Sequence, residues 1–255
     1  LVGGHADGGT RTMTPSTTVD PAEVERFARI AAGWWDPKGG FRPLHKLNPL
    51  RLAWLRDTIC ARTGRDPTAP RPLDGLAILD VGCGGGLVSE PLARMGATVT
   101  GLDAEAETIR IAAAHAAAEG VAVDYRAGRI EDLPERRYDA VVAMEVVEHV
   151  ADLDLFVAHC AARLAPGGTF LFSTLNRTPR SLALGIVAAE WILRWVPRGT
   201  HDWRKFRRPS EMAASLRRTG LRIGGTTGVV YDPFADRFRL SARDMDVNWM
   251  GWATA

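Results

Sequence analysis

The spacing of apolar positions changes period twice along the chain. Behind Asp20-Pro21, with Glu23 near the cap amide, Val24, Phe27, Ala31 and Trp34 recur at three- and four-residue steps. That spacing predicts a helix with one packed face. Asn48-Pro49 repeats the start signal and predicts a second helix ending near Gly64. The proline-rich run at 65–75, "RDPTAPRPLDG", reads as a linker. Beyond it, short β-rich runs at 76–82, 97–103, 121–128, 138–144 and 169–175 alternate with helical stretches at Leu87–Met95, Glu105–Glu119 and Leu153–Leu164. Two further runs, 221–234 and 237–251, read as an antiparallel pair at a sheet edge.

Strands alternating with helices indicate βαβ units. The fold class expected is α/β: a mostly parallel seven-stranded sheet with helices on both faces. N-terminal helices precede it, and a helical insertion over 176–208 follows strand five. Residues 1–18, rich in Gly and Thr, are expected to be a disordered leader, and 19–255 a single domain.

Composition narrows the classes. A chain of 255 residues, 46% hydrophobic and 24% charged, can bury a full core, and its net charge of +2 gives no strong field for nucleic acid. Cys60, Cys83 and Cys160 are odd in number and far apart, which speaks against a disulfide scaffold or a zinc ribbon. The leader lacks the apolar run of a signal peptide, so a cytoplasmic protein is expected.

Candidate chemistry begins at "LDVGCGGG" (79–86), which ends the first strand with Gly82, Gly84 and Gly86. Glycines there let a ligand approach the backbone beside a helix N-terminus. Asp103, closing the next strand, is placed to accept both hydroxyls of a ribose. A dinucleotide loop would need glycine where this chain has Leu87, and no P-loop lysine follows. G-x-G-x-G followed by a strand-end acid resembles the S-adenosylmethionine loop of class I methyltransferases. "GRIEDLP" (128–134) and "LAPGG" (164–168) resemble later motifs of that fold, which would set Glu131 and Asp132 near the adenine.

"FRPLHKLNPLR", "LDVGCGGGLVSEPLAR", "MEVVEHV", "STLNRT", "RGTHDWRKF" and "DVNWM" occur in this order and resemble the ubiquinone-biosynthesis O-methyltransferases over nearly the whole chain. The resemblance implies methylation of a polyprenylated catechol-type phenol or of demethylubiquinol. It also implies S-adenosylmethionine contacts at Arg51, Gly82, Asp103 and Met144. Arg51 would pair with the methionine carboxylate as a planar fork, and Met144 would supply a soft apolar contact to adenine. Membership of a ubiquinone-biosynthesis complex is a further expectation.

"EVVEHV" (145–150) offers three acid/base groups at the end of strand four. As a helical turn, Glu145, Glu148 and His149 would share one face. Two chemistries then stand open. One of the three acts as general base on a phenol, or all three hold a divalent ion, Mg²⁺ first among them, that lowers the hydroxyl's pKa. A purely structural turn is the third reading.

The chain from Arg177 to Arg222 carries eleven Arg or Lys against three acids. Within it, 181–208 reads either as a core helix over the active site or as an interfacial helix. The second reading would put Arg204, Lys205, Arg207 and Arg208 against anionic lipid on the inner face of the cytoplasmic membrane. The interleaved apolar run makes a nucleic-acid partner the poorer match.

Overall fold

A computed structural model describes residues 17–28, 33–183 and 202–255. Helix α1 (Pro21–Ala28) starts where the cap signal places it, with Asp20 Oδ1 accepting from the Ala22 amide at 3.0 Å. Ala31, expected on its packed face, lies outside the described residues, and Trp34 sits in a following turn. Helix α2 (Arg42–Thr63) begins six residues before Asn48 and runs straight through Pro49. Asn48 is therefore not a cap. Its side-chain amide donates to the Leu87 carbonyl at 2.6 Å and ties α2 to the glycine loop. Gly64, in the left-handed conformation, closes the helix as expected.

The alternating region follows as β1 (Ala77–Val81), α3 (Ser89–Arg94), β2 (Thr98–Asp103), α4 (Ala106–Ala118), β3 (Asp124–Ala127), β4 (Tyr138–Met144), α5 (Leu153–Ala162) and β5 (Leu164–Leu175). Then come a one-turn helix α6 (Pro179–Ser181), α7 (Pro209–Arg218), β6 (Arg222–Asp232), β7 (Arg237–Ser241) and β8 (Asn248–Thr254). The sheet has eight strands rather than seven, in the order β3-β2-β1-β4-β5-β8-β6-β7. The first five are parallel and the last three antiparallel to their neighbours. The extra strand arises because the run 237–251 breaks in two. Ser241 Oγ accepts from the amides of Arg243 and Asp244, turning the chain so that β8 enters between β5 and β6.

Period two places the core on both faces. Leu79, Val141, Ala143, Phe170 and Phe172 pack with α5 and α7 on one side, while Ile78, Ala140, Val142 and Leu171 pack with α2 and α3 on the other. Each buried aliphatic or aromatic side chain of this kind contributes about 1.5–3 kcal/mol. The order reverses between β1 and β4, and the carboxyl ends of these strands open there into the crevice where such sheets bind ligands.

The segment 184–201, which contains most of the expected insertion helix, lies outside the described residues. No helix among the described residues is long and apolar enough to cross a membrane.

Candidate active site

A cavity of about 720 Å³ lies over the strand ends. Arg51, Gly82, Asp103, Met144, Glu145, Glu148 and His149, all named from sequence, line it together. The glycine loop is shaped by what crosses it. Gly82 has φ 68°, and a Cβ there would stand 2.5 Å from Val146 Cγ2. Gly84 has φ 53°, and a methyl group on it would overlap the ring of Trp34. That ring, stacked on Phe41 at 4.0 Å, also covers Gly85, while Trp35 Nε1 donates to the Gly85 carbonyl at 3.0 Å.

Asp103 steadies the loop by accepting from the Gly84 amide with one oxygen and the Glu105 amide with the other, both at 3.0 Å. Burial raises its pKa, and these two amides pull it back. Asp103 also lines the cavity, and each carboxylate oxygen can accept a further hydrogen bond from a diol. Asp103→Ala should weaken S-adenosylmethionine binding about tenfold to a few hundred-fold, since a hydrogen bond to a charged group contributes about 1.5–3 kcal/mol. Calorimetric titration of the folded variant checks it; unchanged affinity removes Asp103 from the site.

Arg51 is fully enclosed. Burial lowers its pKa against the opposing pull of Glu145, Asp80 and Glu148, and its Nε and Nη2 have no protein partner among the described residues. Trp34 Nε1, Thr108 Oγ1, Glu148 Oε2 and Asn248 Oδ1 are likewise buried and unmatched there, and all these residues line the same cavity. Buried polar atoms in folded proteins are almost always paired. Several orphans around one space therefore outline a polar ligand.

Residues 145–150 form turns, not a helix, and Val150 bridges to Val19. The helical turn expected to set Glu145, Glu148 and His149 on one face does not form, although all three line the cavity. Glu145 takes the left-handed conformation (φ 58°), which costs a residue with a Cβ. Its Oε1 accepts from Ser173 Oγ at 2.7 Å and Asn248 Nδ2 at 3.1 Å. His149 Nδ1 lies 3.0 Å from Glu23 Oε2, and Glu23 Oε1 takes Lys205 Nζ at 3.0 Å. Glu148 is only 2% exposed. Burial and the charge of Glu145 push it up to about 8, against the pull of backbone amides and Thr174. Among the described residues no three His, Cys, Asp or Glu side chains come together to hold an ion. Two of the donors expected for a metal are instead engaged by protein partners, Glu145 by Ser173 and Asn248 and His149 by Glu23.

Three further residues were not foreseen. Asp80 is buried beneath the glycine loop, accepts from Ser89 Oγ at 2.6 Å, and is raised to about 7 by burial, with Ser89 and Arg51 opposing. An acid inside the apolar run "AILDVG" was the available signal. Asn248 lies within the motif "DVNWM" without a role of its own there, and Glu23 reads only as a helix-start acid, because their partners are 103 and 126 positions away. Glu131 and Asp132 do not line the cavity. Glu131 accepts from Thr17 and Thr18 and Asp132 from Arg129, and the turn lines the cavity through Gly128, Arg129 and Ile130.

The basic cluster is also redirected. Lys205 pairs with Asp20 and Glu23, and Arg207 Nε donates to the Val147 carbonyl, so two of the four cations expected at a lipid surface hold the active-site turn instead.

Two raised acids give the cofactor-free protein a defined pH response. Their folded values, about 7 for Asp80 and about 8 for Glu148, exceed the unfolded ones, so the folded state binds more protons in between. Their contribution to stability is complete at low pH and is lost as pH rises to about 8. The melting temperature should fall between about pH 5 and 8.5, and Glu148→Gln should flatten the upper part of that fall. A flat wild-type profile contradicts the assignment.

Residues 79–172 match the family model described as a methyltransferase domain. The chain is 53% identical over 241 residues to the ubiquinone biosynthesis O-methyltransferase of Brucella anthropi, covering 94% of this chain and 97% of that protein. It is 54% identical over 239 residues to the protein of the same name from Sinorhizobium fredii, covering 93% and 96%. Among solved structures, magnesium protoporphyrin IX methyltransferase from Synechocystis PCC 6803 with bound SAH superposes with a TM-score of 0.60 at 19% identity. That alignment covers 91% of this chain and 94% of that one, a likeness of fold.

Proposed function

This chain belongs to the ubiquinone biosynthesis O-methyltransferases, and on that premise we propose how its cavity performs the transfer. The protein is an S-adenosylmethionine-dependent O-methyltransferase acting on a polyprenylated phenol. The single observation that carries the site assignment is the ring of unmatched polar atoms around one cavity, with Arg51 at its buried end.

Arg51 takes the methionine carboxylate and Asp80, beside it, suits the α-ammonium. Asp103 takes the ribose diol, and Ile130 and Met144 flank the adenine. The sulfonium then faces the turn at 145–149. A neutral phenol is a poor nucleophile, so its proton must leave as the carbon–oxygen bond forms. In the tautomer that donates Nδ1–H to Glu23, His149 carries its lone pair on Nε2 and accepts that proton. Glu23 stabilises the imidazolium that results, and Lys205 fixes Glu23. Glu148, about 8, is mostly protonated at neutral pH and can donate a hydrogen bond to the second oxygen of a catechol. The sulfonium charge is lost in the transfer, which a low-dielectric cavity favours.

A divalent ion on Glu145, Glu148 and His149 would supply the same activation of the phenol, but among the described residues no three such donors come together to hold one. Turnover in EDTA separates the readings. Retained activity accords with His149 as base; loss restored by Mg²⁺ would require the turn to reorganise. Of the four cations expected to meet lipid, Arg204 and Arg208 remain for such a contact, with Arg208 Nε also donating to the Arg177 carbonyl; most of the expected interfacial helix, 184–201, lies outside the described residues.

The direct test is methyl transfer from labelled S-adenosylmethionine to a soluble catechol, analysed by mass spectrometry for the O-methyl ether. Absence of product with the cofactor bound would overturn the reading. Which of the two hydroxyls in the pathway is preferred is read from the same assay with a demethylubiquinol analogue.

A further inference from the structure

The cavity extends well past the residues the transfer uses. Its cofactor end lies over β2, β1 and β4, and the acid/base turn follows β4. Its other end is walled by Leu47 of α2 and by Val229, Val230, Tyr231 and Phe238 of the β6–β7 hairpin. In the sheet order, β6 stands three strands from β4. At about 4.8 Å per strand that is roughly 14 Å, beyond the reach of a single aromatic ring seated at His149. These five side chains carry no charge, and the charged residues near that end, Arg180 and Asp244, are paired with each other, whereas the near end is dense with carboxylates and cations.

The hairpin is fastened to α2. Lys46 pairs with Asp236 in the β6–β7 turn, and Tyr231 donates its hydroxyl to the same carboxylate. Beneath that clasp, Leu47, Val229 and Met250 form a small apolar cluster with Phe238 against it. The apolar end is therefore a built compartment between two tied elements. Phe234, next to the cavity-lining Pro233 at the hairpin tip, stands fully exposed at 101%.

We propose that this compartment binds the first isoprene units of the substrate's tail, so that α2 and the β6–β7 hairpin set the preference for prenylated over tail-less phenols. The inference rests on the function given above and names the part of the site that recognises the tail. Isoprene is apolar and branched, and its transfer from water to such walls is favourable in proportion to the area covered. The ring would lie under the turn at 145–149 and the tail would run across β5 and β8 toward Tyr231.

The test compares kcat/KM for a tail-less catechol and for the same catechol carrying two prenyl units. The wild-type protein should prefer the prenylated compound by tenfold or more. Val230→Trp, at a half-buried lining position, should keep the tail-less rate within about twofold and abolish most of that preference, as expected when a compartment is filled. Leu47→Phe, from the α2 wall, repeats the test should Val230→Trp not fold; melting temperature and S-adenosylmethionine titration establish folding for each. Preference retained in both variants, or equal loss for both substrates, overturns the proposal. No transfer to either catechol by the wild-type protein would instead overturn the assigned function.

Discussion

His149→Ala should lower kcat by about 10²–10⁴-fold, the usual contribution of a general base, while S-adenosylmethionine affinity stays within about twofold of the wild type. The imidazole is held from one side by Glu23, which is itself held by Lys205, so a base is oriented before the acceptor arrives. Glu23→Gln keeps the shape but removes the charge that steadies an imidazolium. It should give a smaller loss and move the acid limb of the kcat/KM profile to lower pH, because the protonated imidazole is less favoured. An acceptor whose phenol is already ionised at the assay pH should recover much of the loss in His149→Ala. Without that recovery, His149 would be a supporting residue of the turn and not the proton acceptor.

Arg51→Ala should weaken S-adenosylmethionine binding by about 10²–10⁴-fold, from two charge-assisted hydrogen bonds of about 1.5–3 kcal/mol each. The guanidinium is buried, unmatched at two nitrogens, and faced by three acids. Removing it strips the carboxylate's partner and leaves Asp80, Glu145 and Glu148 without a counter-charge. Arg51→Lys keeps the charge but not the planar fork, so its loss should fall between the two. Methylthioadenosine, which has the nucleoside and sulfur but no amino-acid end, supplies the control. Its affinity should be the same for wild type and Arg51→Ala; an equal fall for both ligands would mean damage to the fold, not loss of a contact.

The parts of the fold that could be read from sequence are those where local chemistry agrees with the tertiary outcome. Strands β1, β2, β4 and β5 end at Val81, Asp103, Met144 and Leu175, at or within one residue of their expected limits, because apolar runs flanked by turn residues have few other ways to fold. Gly82 and Asp103 reach one cavity for the same reason, each at a strand end, while Arg51 and Met144, named through the family resemblance, line the same cavity. What was not legible depends on distant partners. Asn48-Pro49 mimics a helix start, yet the helix begins at Arg42, and Asn48 is held by Leu87 instead. The turn at 145–150 is governed by Ser173, Asn248 and Glu23, none of which local spacing can reveal. The split between β7 and β8 hangs on one serine hydroxyl.

Trp34 lying across the glycine loop also limits how this sequence can drift. At Gly84 both the left-handed backbone and the indole forbid a side chain, so no change at position 34 alone would free it. Gly85 differs in its backbone: its φ is not in the left-handed range, and its three nearest neighbours are Trp34 Cβ and Cγ, each 2.6 Å from a Cβ placed there, and Cδ2 at 2.9 Å. Because Cβ stays with every residue but glycine, shrinking the indole alone would not admit an alanine at 85. Both glycines should therefore persist among descendants of this chain for as long as position 34 carries a side chain.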